Sequence, residues 1–581
     1  MDFSQNNYTY VWENSLKKSF DFGRARYDLG IMTNSTFLMR PSEYWQESVD
    51  ASLAAEFELA KGISIAPTIK HSRNALQDRV LYASEIKLAL PFRRLGPVEF
   101  APFMANRAIK RVGTELRGVD RGAGYGFVTS LKPSKFLGNA IESEVSYESY
   151  DLNRIPFSEF RANVAGLMTL GQADTIRWKI HDLVSATRYF AASVHDDTRG
   201  DIMQQNKNDL GAETGVRLTL PGEVTSMISA GAGSVDYDYE MVTRVGPAPE
   251  RDNYKKQANY RLDFSRIFFE RILASAGYRY DWGKEDYSSR ILDQWLELGE
   301  FSFKVQAAIG RFDSLALGGI FGVTSYYSLD NSPIRERDLR TQIYNLRFGH
   351  VFSQYFAGEL AAGYSSFYQV YTSGLYSADN NQNETYTLRT TFNWNLTSRC
   401  AIKQGFEIRA NYIIFDYVPN PIETPSRIFR RGLSETGLRL QVSERLTLMP
   451  VYTYRYEDYG KLIWEEGNWQ QATGWDRRFH SITAKASYLP FRKVSFEPEI
   501  TWEAKKEYDH KLIRSDGPFG DGRVVREQRL DDMKQIAAVK LTWQFSDTEY
   551  LAASYSRRRW EIGHEVYDVS DFISVSVRYL F

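Results

Sequence analysis

Apolar and aromatic residues alternate with polar ones over most of this chain. Tyr8, Tyr10, Trp12, Leu16 and Phe20 share one face of a first long stretch, and Tyr27, Leu29, Ile31, Thr33 and Phe37 one face of the next. A period of two describes strands with one apolar and one polar face. Short turns interrupt the pattern at Gly23, Lys61-Gly62, Arg93 to Pro97, Pro133 to Gly138, Gly171-Gln172, Pro221-Gly222, Ile267 to Glu270, Arg311 to Ser314, Phe352 to Gln354, Thr397 to Arg399, Ser443-Glu444, Pro490 to Lys493 and Phe545 to Thr548. Between them lie longer polar connections: Asp196 to Asp209, Met241 to Lys255, Thr372 to Asn383, Tyr459 to Arg477 and Glu507 to Asp532. The pattern predicts an all-β chain built as one series of hairpins.

Four returning strands read apolar, x, apolar, x, Pro just after their turn: Ile63 to Pro67, Val98 to Pro102, Leu446 to Pro450 and Val494 to Pro498. Proline cannot donate to a strand ladder, which predicts a bulge at each. The motif reads as a hairpin repeat with a period in the forties, which also suits a propeller, whose blades take about 40 to 45 residues. Strand length opposes that, because alternation persists through Ile272, Ala274, Ala276, Tyr278, Tyr280 and Trp282, and through Val494, Phe496, Pro498, Ile500 and Trp502. Soluble sandwiches alternate similarly with shorter strands.

Composition narrows the class. Mean hydropathy is -0.44, and no run approaches the roughly 18 apolar residues of a spanning helix. Lys and Arg number 72 against 73 Asp and Glu, a net charge of -1, so nothing marks nucleic acid as a partner. Cys400 is the single cysteine; no disulfide, CxxC or CxxCH is available, and no cofactor is expected. There is no GxSxG and no HExxH, so the chain does not read as an enzyme. Asp509 and His510 are adjacent and fall on opposite faces of a strand, and Asp516 to Gly522 reads as a turn rather than a calcium loop.

The last stretch is the most specific. Ile573, Val575, Val577, Tyr579 and Phe581 are apolar or aromatic at every second position. A strand that ends on a carboxyl-terminal Phe in this way resembles the closing strand of Gram-negative outer-membrane β-barrel proteins. The resemblance implies a single large antiparallel transmembrane barrel over residues 1–581, with short periplasmic turns and long extracellular loops, in the bacterial outer membrane. It implies the barrel assembly machinery, lipid and lipopolysaccharide as partners. Counting hairpins gives about 27 strands within a range of about 26 to 28, whereas bacterial single-chain barrels usually have an even number. Either an upward strand before Met1 is missing, together with a signal peptide, or Met1 to Asn6 supplies a stub of it. Thr175 to Val194, if it were two strands, would also make the count even.

Aromatic residues gather at both ends of the strands, as in Tyr452, Tyr454 and Tyr456 or Trp543 and Phe545, which suggests two interfacial girdles. The opposite face carries charge: Glu142, Glu144, Arg177, Lys179, Arg279, Arg347, Glu407, Arg409, Glu497, Glu499 and Arg578. Each charge would cost about 2–4 kcal/mol at the lipid midplane, so these rows belong to the lumen. Arg557 and Arg559 continue the lipid-facing series Leu551, Ala553 and Tyr555 beyond the girdle, a position that suits either a contact with lipopolysaccharide phosphates or a solvated loop base. Barrels of 22 strands already hold a plug. A wider one must fill its lumen with loops, side chains or a second protein. The sequence therefore suggests an outer-membrane transport or export channel gated by its own loops or a partner. The alternatives are a structural sheath for a lipoprotein or cytochrome partner, and a small-solute porin.

Overall fold

A computed structural model describes residues 2–578 except 7–8, 23–24, 39–43, 61–62, 77–78, 96–97, 113–117, 137–138, 171–173, 192–200, 242–251, 288–292, 329–335, 375, 418–424, 466–467, 514–522, 547–549 and 564. Near several of these gaps and at both ends only the backbone is described. The sole helical element among the described residues is a single 3-10 turn, Ser377–Asp379. The rest of the regular structure is one sheet of 29 strand segments.

The sheet returns on itself. The five-residue strand Asp2–Asn6 pairs antiparallel with Thr9–Phe22 on one side and with Glu565–Arg578 on the other. Arg79–Ala89 and Phe92–Leu95 are collinear pieces of one pass, since both lie between Ile63–Leu76 and Val98–Val112. Pro91, which has no N–H to donate, stands in the break. The 29 segments thus make 28 passes, an even number. Thr175–Ala191 is one strand rather than two. The stub at Asp2–Asn6 makes the parity even. At ~4.8 Å between strands and ~40° tilt, such a ring is roughly 55 Å across if circular.

Where the expected short turns are described they fall at the ends of consecutive strands, as in Leu220 to Val224 and Phe268 to Ile272, although Arg93 to Leu95 and Pro133 to Phe136 are still strand. Gly23, Lys61, Gly62, Pro97, Gly138, Gly171, Gln172 and Thr548 lie outside the described residues. The turn Phe268 to Arg271 is unusual in placing two non-glycine residues, Phe269 (φ 52°) and Glu270 (φ 57°), in the left-handed region. That geometry matches the strand twist of a tight hairpin and normally selects Asn or Gly.

Each of the four proline motifs carries the expected bulge: the preceding strand has one extra residue between Glu58↔Ser64 and Ala60↔Ile63, Phe92↔Phe100 and Leu95↔Val98, Gln441↔Thr447 and Ser443↔Leu446, and Tyr488↔Phe496 and Phe491↔Val494. Towards the preceding strand the ladder runs to Ala54↔Thr68 and resumes at Phe57↔Ile65, omitting Ala66 and Pro67. It breaks in the same way between Ala89↔Phe103 and Phe92↔Phe100, Gly437↔Val451 and Leu440↔Leu448, and Lys485↔Glu499 and Tyr488↔Phe496. Both strands advance by three residues across this gap, so the inserted residue lies between the proline and the turn. Proline leaves an unmade bond and the strands part locally, with the change of register following on the turn side.

The long extracellular connections are also shorter than the sequence suggests. Asp201–Leu220, Leu446–Glu465, Asn468–Phe491, Val494–Ile513 and Arg523–Gln544 carry strand structure through much of what reads as polar loop. Above the membrane both faces of a hairpin meet water, so the alternation that marks a strand disappears while the ladder continues. Asn468–Phe491, at 24 residues, spans roughly 60 Å along the membrane normal against an apolar band of ~25 Å.

Candidate functional site

The two faces of the sheet differ in kind. On one, Leu346, Ala362, Leu388 and Ile408 follow one another across adjacent strands, as do Ile482 and Trp502 beside Ile500. Ile408 is 62% and Ile500 63% exposed in the isolated chain, which is the signature of a surface covered by lipid. Aromatic rings bound this band. Tyr344, Tyr364, Tyr386 and Tyr412 form a ladder with centroids 6.1, 5.0 and 5.9 Å apart. Phe352, Phe356, Phe392 and Trp394 cluster at the short-turn end. Tyr386 and Trp394 are eight residues apart on one strand, roughly 20 Å along the normal. Large rings are seated over glycines: a Cβ at Gly166 would overlap Trp178, and one at Gly319 would overlap Phe303.

The other face is charged. Its rows follow from the register: Ala140, Leu167, Arg177, Gly215, Ser229, Arg261, Arg279 and Glu300 form one, and Glu142, Ala165, Lys179, Glu213, Gly231, Asn259 and Asp281 the next. Many charges are tied within a strand or to a neighbour. Arg261 Nε lies 2.6 Å from Asp263, Arg279 Nη2 2.5 Å from Asp281 and Arg347 Nε 3.3 Å from Glu359. Arg431 pairs with Glu407, and Lys485 Nζ is 3.2 Å from Glu497. Arg409 stands opposite Arg431, Glu144 opposite Asn163 and Glu499 opposite Lys485. Arg578 pairs through its backbone with Tyr550, and its side chain, like that of Val577, lies outside the described residues, as do Tyr579 and Phe581 altogether.

One extracellular connection folds into the lumen, and sequence reading missed it. After Tyr150 the chain turns inward over Asp151 to Pro156, and Leu152 and Ile155 join Phe103, Ala105 and Tyr150 in a buried apolar cluster. Asp120 is fully buried beneath the turn. Its carboxylate accepts from Arg154 Nε at 2.8 Å and Arg111 Nη1 at 2.5 Å. Gly122 has no side chain because one would overlap the carbonyl oxygen of Asp151, and Gly124 and Gly126 make room for the rings of Tyr150 and Phe103. The signal was present as Gly122, Gly124 and Gly126, three glycines on one face of a strand, where another segment approaches closely.

The remaining candidates separate. His510 Nε2 lies 2.7 Å from Asp476, whereas Asp509 faces Arg529 at 3.8 Å, so the adjacent pair diverges as strand alternation requires. Asp516 to Gly522 lies outside the described residues. Arg557 is opposite Asp571, which also accepts a 2.7 Å bond from the Tyr555 hydroxyl. Arg559 Nη2 is 2.5 Å from Glu561.

No protein-family model and no curated protein matches the chain. Among solved structures it is similar to the siderophore receptor PirA from Pseudomonas aeruginosa, at 10% identity over 88% of this chain and 86% of that one, with a TM-score of 0.37. It is also similar to the ferric preacinetobactin receptor BauA from Acinetobacter baumannii, at 11% identity over 96% and 80% with a TM-score of 0.36. A third is the outer membrane transporter YddB from Escherichia coli, at 8% identity over 92% and 76% with a TM-score of 0.35. Likeness at this level carries nothing about ligand, and the functional reading rests on the barrel itself.

Proposed function

We propose that the chain forms a wide aqueous channel across the Gram-negative outer membrane, through which solutes are transported or exported. The observation that carries this reading is the closed ring of 28 passes with an apolar exterior and a charged interior. Among the described residues only the turn Asp151 to Pro156 packs into the lumen as a buried cluster. Both signs of charge line the wall, which favours passage of mixed solutes over strict ion selection. Proteoliposomes holding the purified barrel should swell in isosmotic sugars up to several hundred daltons. Absence of swelling with correctly folded barrel would reject an open channel.

The width supports a second reading, a sheath around a partner such as a lipoprotein. A 100-residue domain has a radius of gyration of ~13 Å and would fit a ring of roughly 55 Å. A barrel extracted in mild detergent should then carry a stoichiometric second protein, and one that purifies alone would reject the sheath. At the outer rim, Arg557 is the better placed of the two expected lipopolysaccharide contacts, because Arg559 is held by Glu561. Replacing Arg557 by Ala should weaken lipopolysaccharide retention during purification; unchanged retention would reject the contact.

A further inference from the structure

We infer that a trough in the lumen wall binds small zwitterionic solutes of dipeptide size, an inference that rests on the channel reading and names its substrate class. The trough encloses about 830 Å³ between the strands Asn139–Tyr150 and Ile272–Tyr287. Four charges face it without an ion pair or side-chain hydrogen bond to any described residue: Arg177, Lys179, Glu142 and Glu213. Their neighbours behave differently, since Arg261 is bound to Asp263 and Arg279 to Asp281. Two free cations and two free carboxylates sum to zero, so a lone anion or cation gains from one pair and is repelled by the other. A solute bearing both charges satisfies both pairs.

The spacing agrees. Glu142, Ala165, Lys179 and Glu213 occupy one cross-strand row, with Arg177 and Gly215 in the row beside it. At ~4.8 Å per strand, Lys179 lies about 10 Å from Glu142 and about 5 Å from Glu213 at the backbone, a range that an ammonium and a carboxylate separated by one peptide unit can bridge. The floor is kept low by Ala165, Gly215 and Ser229. Gly215 is not demanded by packing, because a Cβ there would meet nothing closer than 3.8 Å. Its lack of a side chain leaves space in the trough.

Equilibrium dialysis of detergent-purified barrel against radiolabelled glycylglycine tests this. The dipeptide should be retained, with its N-acetyl and C-amide derivatives at least tenfold weaker. Arg177→Gln with Lys179→Gln should weaken the dipeptide tenfold or more. Gly215→Leu should do the same by filling the floor with every charge intact, while heat-modifiable migration confirms folding of each variant. Equal binding of the derivatives, or dipeptide binding unchanged in both variants, overturns the inference. Liposome swelling separates the two claims: a barrel that admits sugars but retains no dipeptide is a channel without this site, and one that binds the dipeptide but admits nothing has the site without the channel.

Discussion

The wall formed by Val98–Val112, Gly118–Phe136 and Asn139–Tyr150 is fixed to the lumen by apolar contact, whereas the wall from Arg427–Ser443 to Arg523–Gln544 is cross-linked by charge. In the first, Phe103, Tyr150, Leu152 and Ile155 form a buried apolar cluster, and Arg154 of the same turn is held by the buried carboxylate of Asp120. In the second, both faces carry ion pairs above the membrane. Arg477 and Lys505 hold Glu507 on one face at 2.8 and 3.4 Å. On the other, Arg430 grips Asp458 at 3.0 Å and Arg526 grips Asp476 at 2.6 Å. Asp458 and Asp476 are directly opposite one another, an arrangement that like charge would oppose without those arginines. A hairpin standing in water on both sides has little apolar surface to bury, so it relies on many modest ionic contacts. A turn that enters the lumen needs one buried latch.

The comparison predicts unequal sensitivity. Asp120→Ala should be the most damaging change, because it removes the buried carboxylate to which Arg111 and Arg154 both donate. Removing one partner of a buried pair costs about 3–5 kcal/mol; the lower end is expected here, since the wall is one strand thick and Arg154 is 40% exposed. Trypsin should then cut after Arg154 many times faster than in the wild type, with the barrel otherwise intact. Gly122→Ala should also expel the turn, through overlap with Asp151, but by about 1–3 kcal/mol, because small displacements relieve overpacking. If neither variant gains cleavage at Arg154, the turn is not latched by these residues.

In the tall wall single changes should matter less. Glu507→Gln should loosen its hairpin by about 1 kcal/mol, as its partners are partly exposed and screened, and raising the salt concentration should reduce the difference between variant and wild type. Asp476, well above the apolar band, is pushed up by burial, but its bonds to His510 and Arg526 outweigh this and hold it below the ordinary carboxylate value of 3.8. A depressed value contributes stability that is complete above the unfolded value and is lost as pH falls through the folded one. Hydrogen exchange over 468–513 should therefore stay slow at pH 5 and quicken only below about pH 4. The smallest effect is expected at the short-turn rim: Glu270→Gly should stabilise by about 1 kcal/mol, read as a higher denaturation midpoint, because glycine adopts φ 57° without strain.

The same contrast explains what was readable in the sequence. Where one face meets lipid, alternation such as Ile272 to Trp282 marks the strand, and each short turn carries its own signal. Above the membrane that contrast is lost, so Tyr459 to Arg477 reads as loop although most of it is hairpin. The infolded turn was invisible because Asp151 to Pro156 has an ordinary loop composition; its evidence sits on another strand, at Gly122, Gly124 and Gly126. Charged lumen rows could be placed by alternation, but which charges pair depends on register and reach. Arg177 and Arg279 look alike in the sequence, yet one is free among the described residues and the other is bound to Asp281.

The most direct test of the central claim is the single-channel conductance of the purified wild-type barrel in a planar bilayer. A large, steady and weakly selective conductance is predicted, reflecting a wide lumen of balanced charge. Inserted barrels that stay silent or only flicker would contradict an open channel and show that the lumen is blocked.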